Sequence, residues 1–316
     1  MEITDRQRRL LELCAIRVDR QSVDWSLIAR QVQDAIGLDD LSQGIITEKS
    51  TAAERSRPVL RKGLRHMGPL ADRVTAELEA ASEAGARLVT VLDPDYPANL
   101  RLIPNLPPFL FYRGTLSDDD ARSVAVVGTR QASETGLRRA AQMSRLLARQ
   151  HVTVVSGLAK GIDTAAHRAA LDEGWRTIAV LGTGITRCYP SENRDLAEAI
   201  TDSGTLVSQF WPTAPPGRST FPRRNIVTSG ISQGSVVIEA SSTSGAKMQA
   251  RLALEHGKKV FLISSLVTTQ PWARGYVDKR GAIEVADVDE VIAQLAAPER
   301  VRQATEQQQQ LALQYL

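Results

Sequence analysis

The stretch Val124–Arg130, VAVVGTR, is an apolar run that ends in a glycine, a small polar residue and a cation. It predicts a buried strand, a tight turn and a helix that starts soon after. Glycine lets a backbone approach a ligand closely, and free N–H groups at a helix start favour an anion. The predicted anion-binding loop comprises Gly128, Thr129, Arg130 and Ser133. A plain tight turn with a solvated arginine is the alternative.

The same alternation of apolar runs and helical periodicity continues along the chain from residue 87. The clearest predicted strands are Val124–Val127, Val152–Val155, Thr177–Leu181, Thr205–Val207, Ser235–Ile238 and Lys259–Ile263. The predicted helices between them are Leu137–Arg149, Ile162–Asp172, Leu196–Thr201, Asn225–Ile231 and Ala246–His256. Near-continuous apolar strands separated by helices are typical of a parallel sheet covered on both faces. The predicted fold class is therefore α/β, a Rossmann-like, doubly wound, mostly parallel sheet that binds ligands beyond its carboxyl edge.

Residues 1–86 show no strand signal and predict a small N-terminal helical domain. Thr4 is a candidate cap for its first helix, a second runs from Trp25 until Gly37 ends it, and a third covers Asp72 to Ala84. The polar stretch Thr47–Arg57 predicts a loop. Residues 87–296 form the predicted Rossmann-like domain. Residues 297–316 are a glutamine-rich tail, for which both a frayed helix and disorder are open.

Composition narrows the class of protein. The 316 residues are 42% hydrophobic and 24% charged, which is ordinary for a soluble globular chain. No stretch approaches a membrane span, and the first residues are too polar for a signal peptide. Cys14 and Cys188 lie far apart without metal-ligand spacing, so we expect a reducing cytoplasm, no metal and no cofactor. The net charge of +3 is only weak evidence for an anionic partner.

A second glycine loop follows the next predicted strand. It reads SGLAKGID, and Ser156, Gly157 and Lys160 are its candidate ligand residues. Asp163 is placed to orient the loop by accepting backbone N–H groups. The spacing matches neither the dinucleotide fingerprint nor the phosphate-binding loop of nucleoside triphosphatases. His167 lies among alanines on the following helix, and we interpret it as a packed structural histidine.

The third loop has an unusual charge pattern, because no acidic residue occurs between Asp202 and Glu239. This window contains three arginines and an asparagine, which are Arg218, Arg223, Arg224 and Asn225. They are interleaved with the aromatic residues Phe210, Trp211 and Phe221. Cations that neutralise phosphates and rings that stack on bases are what binding of a single-stranded nucleic acid needs. The alternative is a buried Phe221 that anchors the loop, with the arginines bridging to other loops.

A fourth loop, after the strand that ends near Ile238, contains Glu239, Ser244 and Gly245. Ser244 and Gly245 are candidate ligand residues at a helix start. In an enzyme Glu239 could be a base, but no second carboxylate or nucleophile converges with it in sequence. We therefore favour an orienting role for Glu239.

Taken together, the loops resemble the DprA/Smf family of DNA-processing proteins. The matching blocks include LDPDYPANL (Leu92–Leu100), LPPFLFYRG (Leu106–Gly114), VAVVGTR (Val124–Arg130), VVSGLAKGIDTAAHRAAL (Val154–Leu171), TIAVLGTGITRCYPSEN (Thr177–Asn193), FPRRN (Phe221–Asn225), VIEASSTSGAKMQARLALEHGKKVF (Val237–Phe261) and RGAIEV (Arg280–Val285). The order and spacing of so many blocks make this resemblance more specific than any single loop.

The resemblance implies an extended Rossmann fold, a basic pocket for single-stranded DNA, homodimers and no catalytic activity. It also implies protection of incoming DNA in natural transformation and loading of a RecA-like recombinase. In the family pattern the arginine of the first glycine loop holds DNA, the loop phenylalanine stacks on a base, and neighbouring basic residues share the surface. Those residues are here Arg130, Phe221, Arg218, Arg223 and Arg224.

The chain also departs from that pattern. Ile226 stands where the family commonly has another arginine, Ser208–Gln209 replaces a serine–glutamate pair, and residues 262–265 replace an alanine–valine–proline–glycine stretch. The N-terminal helices lack a glycine-punctuated helix-hairpin-helix pattern. The alternative function is a nucleotide sensor or nucleotide-processing enzyme, for example in phage defence, because related Rossmann-like domains bind small nucleotides in the same loops. The proline–glycine–glycine signature of phosphoribohydrolases is absent. A structural scaffold without nucleic-acid affinity is a third.

Overall fold

The computed structural model describes residues 1–313, and within them the N-terminal region is helical. Its elements are α1 (Asp5–Ala15), β1 (Arg17–Val18), β2 (Gln21–Ser22), α2 (Trp25–Gln31), α3 (Gly37–Ser42), α4 (Thr51–Gly63) and α5 (Gly68–Glu83). Thr4 caps α1 as predicted, since its hydroxyl accepts from the N–H of Gln7 and the Gln7 side chain accepts from the N–H of Thr4.

A single twisted layer of strands follows. It contains β3 (Arg87–Thr90), β4 (Phe109–Gly114), β5 (Ser123–Val127), β6 (Thr153–Ser156), β7 (Thr177–Val180), β8 (Thr205–Ser208), β9 (Gly234–Val237), β10 (Lys259–Ile263) and β11 (Ile283–Val285). The helices around it are α6 (Glu134–Arg149), α7 (Ile162–Asp172), α8 (Arg194–Ser203), α9 (Thr220–Ile231), α10 (Gly245–Glu255), α11 (Ser264–Thr269), α12 (Pro271–Arg280), α13 (Val288–Ile292) and α14 (Pro298–Leu313).

The strand order within the described residues is β11-β10-β9-β5-β6-β7-β8-β4-β3. From β11 to β8 all neighbours are parallel, and β4 and β3 extend the edge in antiparallel pairing. The predicted Rossmann-like, mostly parallel sheet is confirmed. After β5 the chain adds strands on one side as far as β8 and then crosses to β9 on the other side. The topological switch point therefore lies where β6 and β9 flank β5.

The central strands are buried at every position, which explains their near-continuous apolar sequences. The buried core continues from the sheet into the N-terminal helices. Trp25 on α2 connects the two parts, because its ring lies 4.9 Å from that of Phe109 and 6.2 Å from that of Trp211. The helical region thus packs directly on the antiparallel edge of the sheet.

Several local predictions were wrong. The stretch Thr47–Arg57 is not a loop throughout, because α4 starts at Thr51 with Ser50 as its cap. Most of the residues that α4 buries lie beyond residue 57, so the polar stretch itself gave little sign of the helix. Gly37 begins α3 instead of ending one long helix, because the chain turns at Val32. The sequence did not predict five of the strands, namely the short pair β1 and β2 and the strands β3, β4 and β11. The strand β4 pairs antiparallel with β8, and the periodicity of a sequence does not indicate which strand a given strand will pair with.

The glutamine-rich tail contains α14, which ends at Leu313; residues 314–316 lie outside the described residues. No helix in residues 1–313 is both long and apolar enough to span a membrane.

His167 is fully buried on α7, in agreement with its predicted structural role. Its Nδ1 lies 2.7 Å from the hydroxyl of Thr177, which itself donates to the carbonyl of Val154. The Nδ1 atom therefore bears the proton, while the buried Nε2 has no partner among the described residues. Burial, and next the positive charge of Arg224, lower the pKa of His167 from 6.5 to about 3.

A pH dependence of stability follows from that lowered pKa. In the unfolded chain the imidazole of His167 is protonated below about pH 6.5, whereas in the folded chain it stays neutral down to about pH 3. The free energy of unfolding therefore falls as the pH drops through this window. We expect His167 to contribute a loss of about 2 kcal/mol between pH 7 and pH 5. Urea unfolding at both pH values, compared with His167→Gln, measures it; an equal pH dependence in the variant would contradict the assignment.

Candidate nucleic-acid interface

A cavity of about 450 Å³ opens at the topological switch point, beyond the carboxyl ends of β5, β6 and β9. Most of its wall comes from the glycine loops that the sequence singled out. The predicted site residues that line it are Gly128, Thr129, Arg130, Gly157, Asp163, Phe221, Arg224, Asn225, Ser244 and Gly245. Loops that are separated by as many as 117 positions in the sequence therefore form one surface.

Arg224 forms the floor of this cavity and is only 9% exposed. Its Nη1 donates to the carbonyl of Gly157 at 2.7 Å and to that of Val180 at 2.8 Å, and its Nε donates to the Asn225 side chain at 3.1 Å. A Cβ atom on Gly157 would lie 1.8 Å from Nη1, so this position requires glycine. The guanidinium ties α9 to the ends of β6 and β7.

Asp163 lies near the same floor and is also buried. Its carboxylate accepts from the backbone N–H groups of Gly157 at 3.1 Å and Ala159 at 3.3 Å. Burial raises the pKa of Asp163, while the positive charge of Arg224 and these N–H groups oppose the rise. The pair Asp163–Arg224 therefore places compensating charges beneath the cavity.

These contacts correct two expectations. Arg224 was expected on the DNA-binding surface, but it is buried: its Nη1 donates to main-chain carbonyls inside the protein, and its Nε donates to the Asn225 side chain. Ser156 was expected to contact the ligand, but it is fully buried and its hydroxyl donates to the carbonyl of Val126 at 2.7 Å. Both residues support the loops from within the protein, and Arg224 in addition lines the floor of the cavity.

Arg130 and Phe221 form the exposed side of the cavity. The Arg130 guanidinium carbon lies 5.1 Å from the centre of the Phe221 ring, within the range of a cation–π contact. The ring of Phe221 is half-buried and rests against Gly182, where an added Cβ would come within 2.6 Å of it. Among the residues that line the cavity, the charged side chains are Arg130, Asp163 and Arg224, and Arg130 is the exposed one.

Glu239 and Ser133 interact at the start of α6, outside the cavity lining. The Glu239 carboxylate accepts from the Ser133 hydroxyl at 2.8 Å and from the Ser133 N–H at 3.2 Å. The carbonyl of Glu239 also accepts from the N–H of Thr129 at 2.7 Å. A carboxylate of the protein thus already occupies the anion-favouring start of α6, so Ser133 is not free to bind a phosphate as expected.

The remaining predicted cations lie outside the cavity lining. Lys160 forms an exposed ion pair with Glu192. Arg223 packs over the rings of Trp25 at 5.4 Å and Phe210 at 5.5 Å, so it joins α9 to the N-terminal helices. Arg218 is exposed in the loop that precedes Phe221.

The opposite wall of the cavity comes from α10 and α9. Ser244 caps α10 by accepting from the N–H of Ala246 at 3.2 Å, and Gly245 beside it is exposed. Gln249 and Met248 complete this wall, and neither was singled out in the sequence. Tyr189 and Glu192, in the loop after β7, were also missed, although they belong to the quoted block TRCYPSEN.

A second cavity of about 440 Å³ lies at the other edge of the sheet, near the start of β5. Its lining includes Asp95, Asp118 and Asp120 together with Arg87 and Arg101. Three carboxylates make it unfavourable for a phosphodiester. Within residues 1–313 no cluster of histidine, cysteine and carboxylate side chains could hold a metal ion.

The family of the chain follows from comparison with known proteins. Residues 87–296 match the family model described as DNA recombination-mediator protein A, so the chain belongs to that family. The DNA processing protein DprA of Streptococcus pneumoniae is 41% identical over 174 residues, which are 55% of this chain and 61% of that protein. Protein Smf of Synechocystis is 36% identical over 236 residues, 73% of this chain and 59% of that protein. The chain thus spans about 60% of the length of these relatives.

Solved structures share the fold of this chain. The X-ray structure of DprA from Streptococcus pneumoniae superposes with a TM-score of 0.75 at 28% identity and covers 94% of this chain and 100% of that one. DprA from Helicobacter pylori superposes with a TM-score of 0.59 at 22% identity, over 66% of this chain and 94% of that one. That second structure was determined to describe the single-stranded DNA binding mode of the Helicobacter protein.

The structural role of Arg224 is testable. We expect Arg224→Met, which keeps an unbranched apolar chain but removes the guanidinium, to lower the free energy of unfolding by about 3 kcal/mol, because two buried carbonyls lose their donor and Asp163 loses its cation. Urea denaturation measures this loss. The control is Arg251→Met, since Arg251 forms an exposed ion pair with Glu255, and this variant should change stability by less than about 0.5 kcal/mol. Equal stability of the two variants would contradict the structural assignment.

Proposed function

We propose that this protein binds single-stranded DNA in the manner of DprA and delivers it to a RecA-like recombinase. The observation that carries the proposal is the Arg130–Phe221 pair at the rim of the switch-point cavity. A cation that neutralises a phosphate next to a ring that stacks on a base is the combination that single-stranded nucleic acids require. An aromatic face is of no use to a base that is paired and stacked within a duplex.

The electrostatics of the cavity support this ligand. Its acidic lining residue Asp163 is buried and compensated by Arg224, and the neighbouring Glu239 is held by Ser133. The charge that reaches solvent from the lining is therefore the positive charge of Arg130. Both carboxylates are engaged by hydrogen-bond donors, so neither is poised as a general base, and we propose a binding function without catalysis. The single-stranded DNA described for the Helicobacter pylori relative is consistent with this ligand.

Delivery to a recombinase, a homodimeric state and residence in the cytoplasm complete the proposal. They rest on membership of the DNA recombination-mediator protein A family. We further propose that residues 1–86 act as a helical docking domain and residues 87–296 as the DNA-binding domain, with the tail from residue 297 as an appendage. The Trp25 contact with Phe109 would then be the joint between the first two.

Fluorescence anisotropy tests the proposal directly. A labelled oligo-dT and a duplex of equal length are titrated with the protein over about 50–200 mM salt. We expect tight binding of the single strand with a steep salt dependence and weak binding of the duplex. No binding of the single strand at low salt would overturn the proposal. A thermal-shift screen with nucleotides would then test the cavity as a nucleotide-sensing or nucleotide-processing site.

The contribution of Arg130 is separable from folding, because its side chain is exposed. We expect Arg130→Ala to weaken oligo-dT binding about fivefold and to reduce the slope of log affinity against log salt by about 0.7, as loss of one phosphate contact on a single strand should. Anisotropy at several salt concentrations measures both. The matched control is Arg251→Ala, which removes an equal charge outside the cavity lining; the same effect in both variants would argue for general electrostatics.

Glu192 should oppose DNA binding, because its carboxylate pairs with Lys160. In Glu192→Gln the ammonium group of Lys160 becomes free to meet a phosphate. We expect the affinity for oligo-dT to rise about twofold to fivefold, with a salt slope steeper by up to about 0.7. The double variant Glu192→Gln/Lys160→Ala should lose this gain. A gain that persists in the double variant would show that Lys160 is not its source.

A further inference from the structure

We propose that Tyr189 is a second base-stacking residue, so that the interface holds two successive bases on two aromatic rings. This inference rests on the proposed function and names a residue to which nothing in the family comparison assigns a role. The ligand class is an unpaired stretch of nucleic acid of any sequence, since every base has a π-face.

The placement of Tyr189 is the first argument. Its centroid lies 5.6 Å from that of Phe221, and the two rings are inclined at 49°. The residue is 45% exposed, which makes it one of the few large apolar residues on the described surface. Its hydroxyl makes no hydrogen bond within the described part of the chain. A tyrosine that only stabilised the loop would be expected to bury its ring and to satisfy its hydroxyl.

The support beneath the two rings is the second argument. Tyr189 follows a loop that is bonded to the segment leading to Phe221: the N–H of Gly184 donates to the carbonyl of Ala214 at 2.9 Å, and the hydroxyl of Thr186 donates to the carbonyl of Pro212 at 2.7 Å. Arg187 adds a bond to the carbonyl of Thr213 at 2.9 Å. The two loops form one unit, so the spacing of the rings is set before any ligand arrives.

The third argument is the charge around the rings. Arg130 lies over the ring of Phe221. Lys160, which pairs with Glu192, belongs to the loop after β6. This loop is bonded to the segment that follows Tyr189, because the Asn193 side chain donates to the carbonyl of Leu158. A backbone that crosses the rings would therefore meet Arg130 beside Phe221, and Lys160 is a second cation on the loop that is bonded to the Tyr189 segment. Rings at an incline of 49° present divergent faces, which suits two bases splayed from a single strand and not a stacked duplex.

Anisotropy with oligo-dT separates the roles of Tyr189. We expect Tyr189→Ala to weaken binding about tenfold, within the range of roughly 5- to 150-fold that corresponds to one lost stack of 1–3 kcal/mol. The salt slope should stay at the wild-type value, because no charge is removed. Tyr189→Phe keeps the ring and should bind as the wild type does. Tyr189→Leu keeps apolar packing against Phe221 but offers no aromatic face, and it should bind as weakly as Tyr189→Ala.

Each outcome decides between stacking and support. Wild-type affinity of Tyr189→Leu would show that Tyr189 merely props Phe221, and wild-type affinity of Tyr189→Ala would show that it contributes nothing; both overturn the inference. Photo-cross-linking of a 5-iodouracil oligonucleotide, mapped by mass spectrometry, should mark Tyr189 as well as Phe221, and marking of Phe221 alone would contradict it. These results require a wild-type protein that binds oligo-dT; absence of that binding would instead overturn the proposed function itself.

Discussion

The buried guanidinium of Arg224 is the interaction on which the site depends. It joins α9 to the main chain at the ends of β6 and β7, because one guanidinium nitrogen donates to the carbonyls of both Gly157 and Val180. Phe221 lies only three residues earlier on the same helix, so the position of the stacking ring is tied to the sheet. Gly157 is required by the same contact, because a side chain there would occupy the space of Nη1. A charge inside the protein thus fixes the position of an aromatic group at its surface.

Electrostatic compensation below the cavity has a consequence above it. The charge of Asp163 is offset by Arg224, and hydrogen bonds from backbone N–H groups and from Ser133 stabilise the carboxylates of Asp163 and Glu239. The positive charge of Arg130 is exposed at the mouth of the cavity, whereas Asp163 is buried beneath it. The ion pair of Lys160 with Glu192 acts differently, because it lies in solvent and is screened. Arg130 is therefore available to bind a phosphate, whereas the ion pair with Glu192 weakens the attraction of Lys160 for a phosphate.

The N-terminal helices reach the same loops from the other side. Arg223 lies over Trp25, and Glu77 on α5 accepts from the N–H of Thr213 at 3.0 Å. Thr213 belongs to the proline-containing segment that leads to Phe221. Arg223, which the sequence predicted on the DNA-binding surface, therefore connects the N-terminal helices to α9. The helices therefore contribute to the geometry of the candidate interface without lining its cavity.

The sequence by itself determined the parallel sheet, its helices and the loops around the site, because buried strands need apolar runs and turns need glycine. It also determined the family, through many short blocks in a constant order. It did not distinguish Arg130, which is exposed, from Arg224, which is buried, since both are arginines beside glycine loops or aromatics. Nor did it indicate the antiparallel edge or the approach of Tyr189 to Phe221. Burial, hydrogen-bond partners and contacts between distant loops arise only when the chain folds, so the tertiary structure alone decided which cations face solvent.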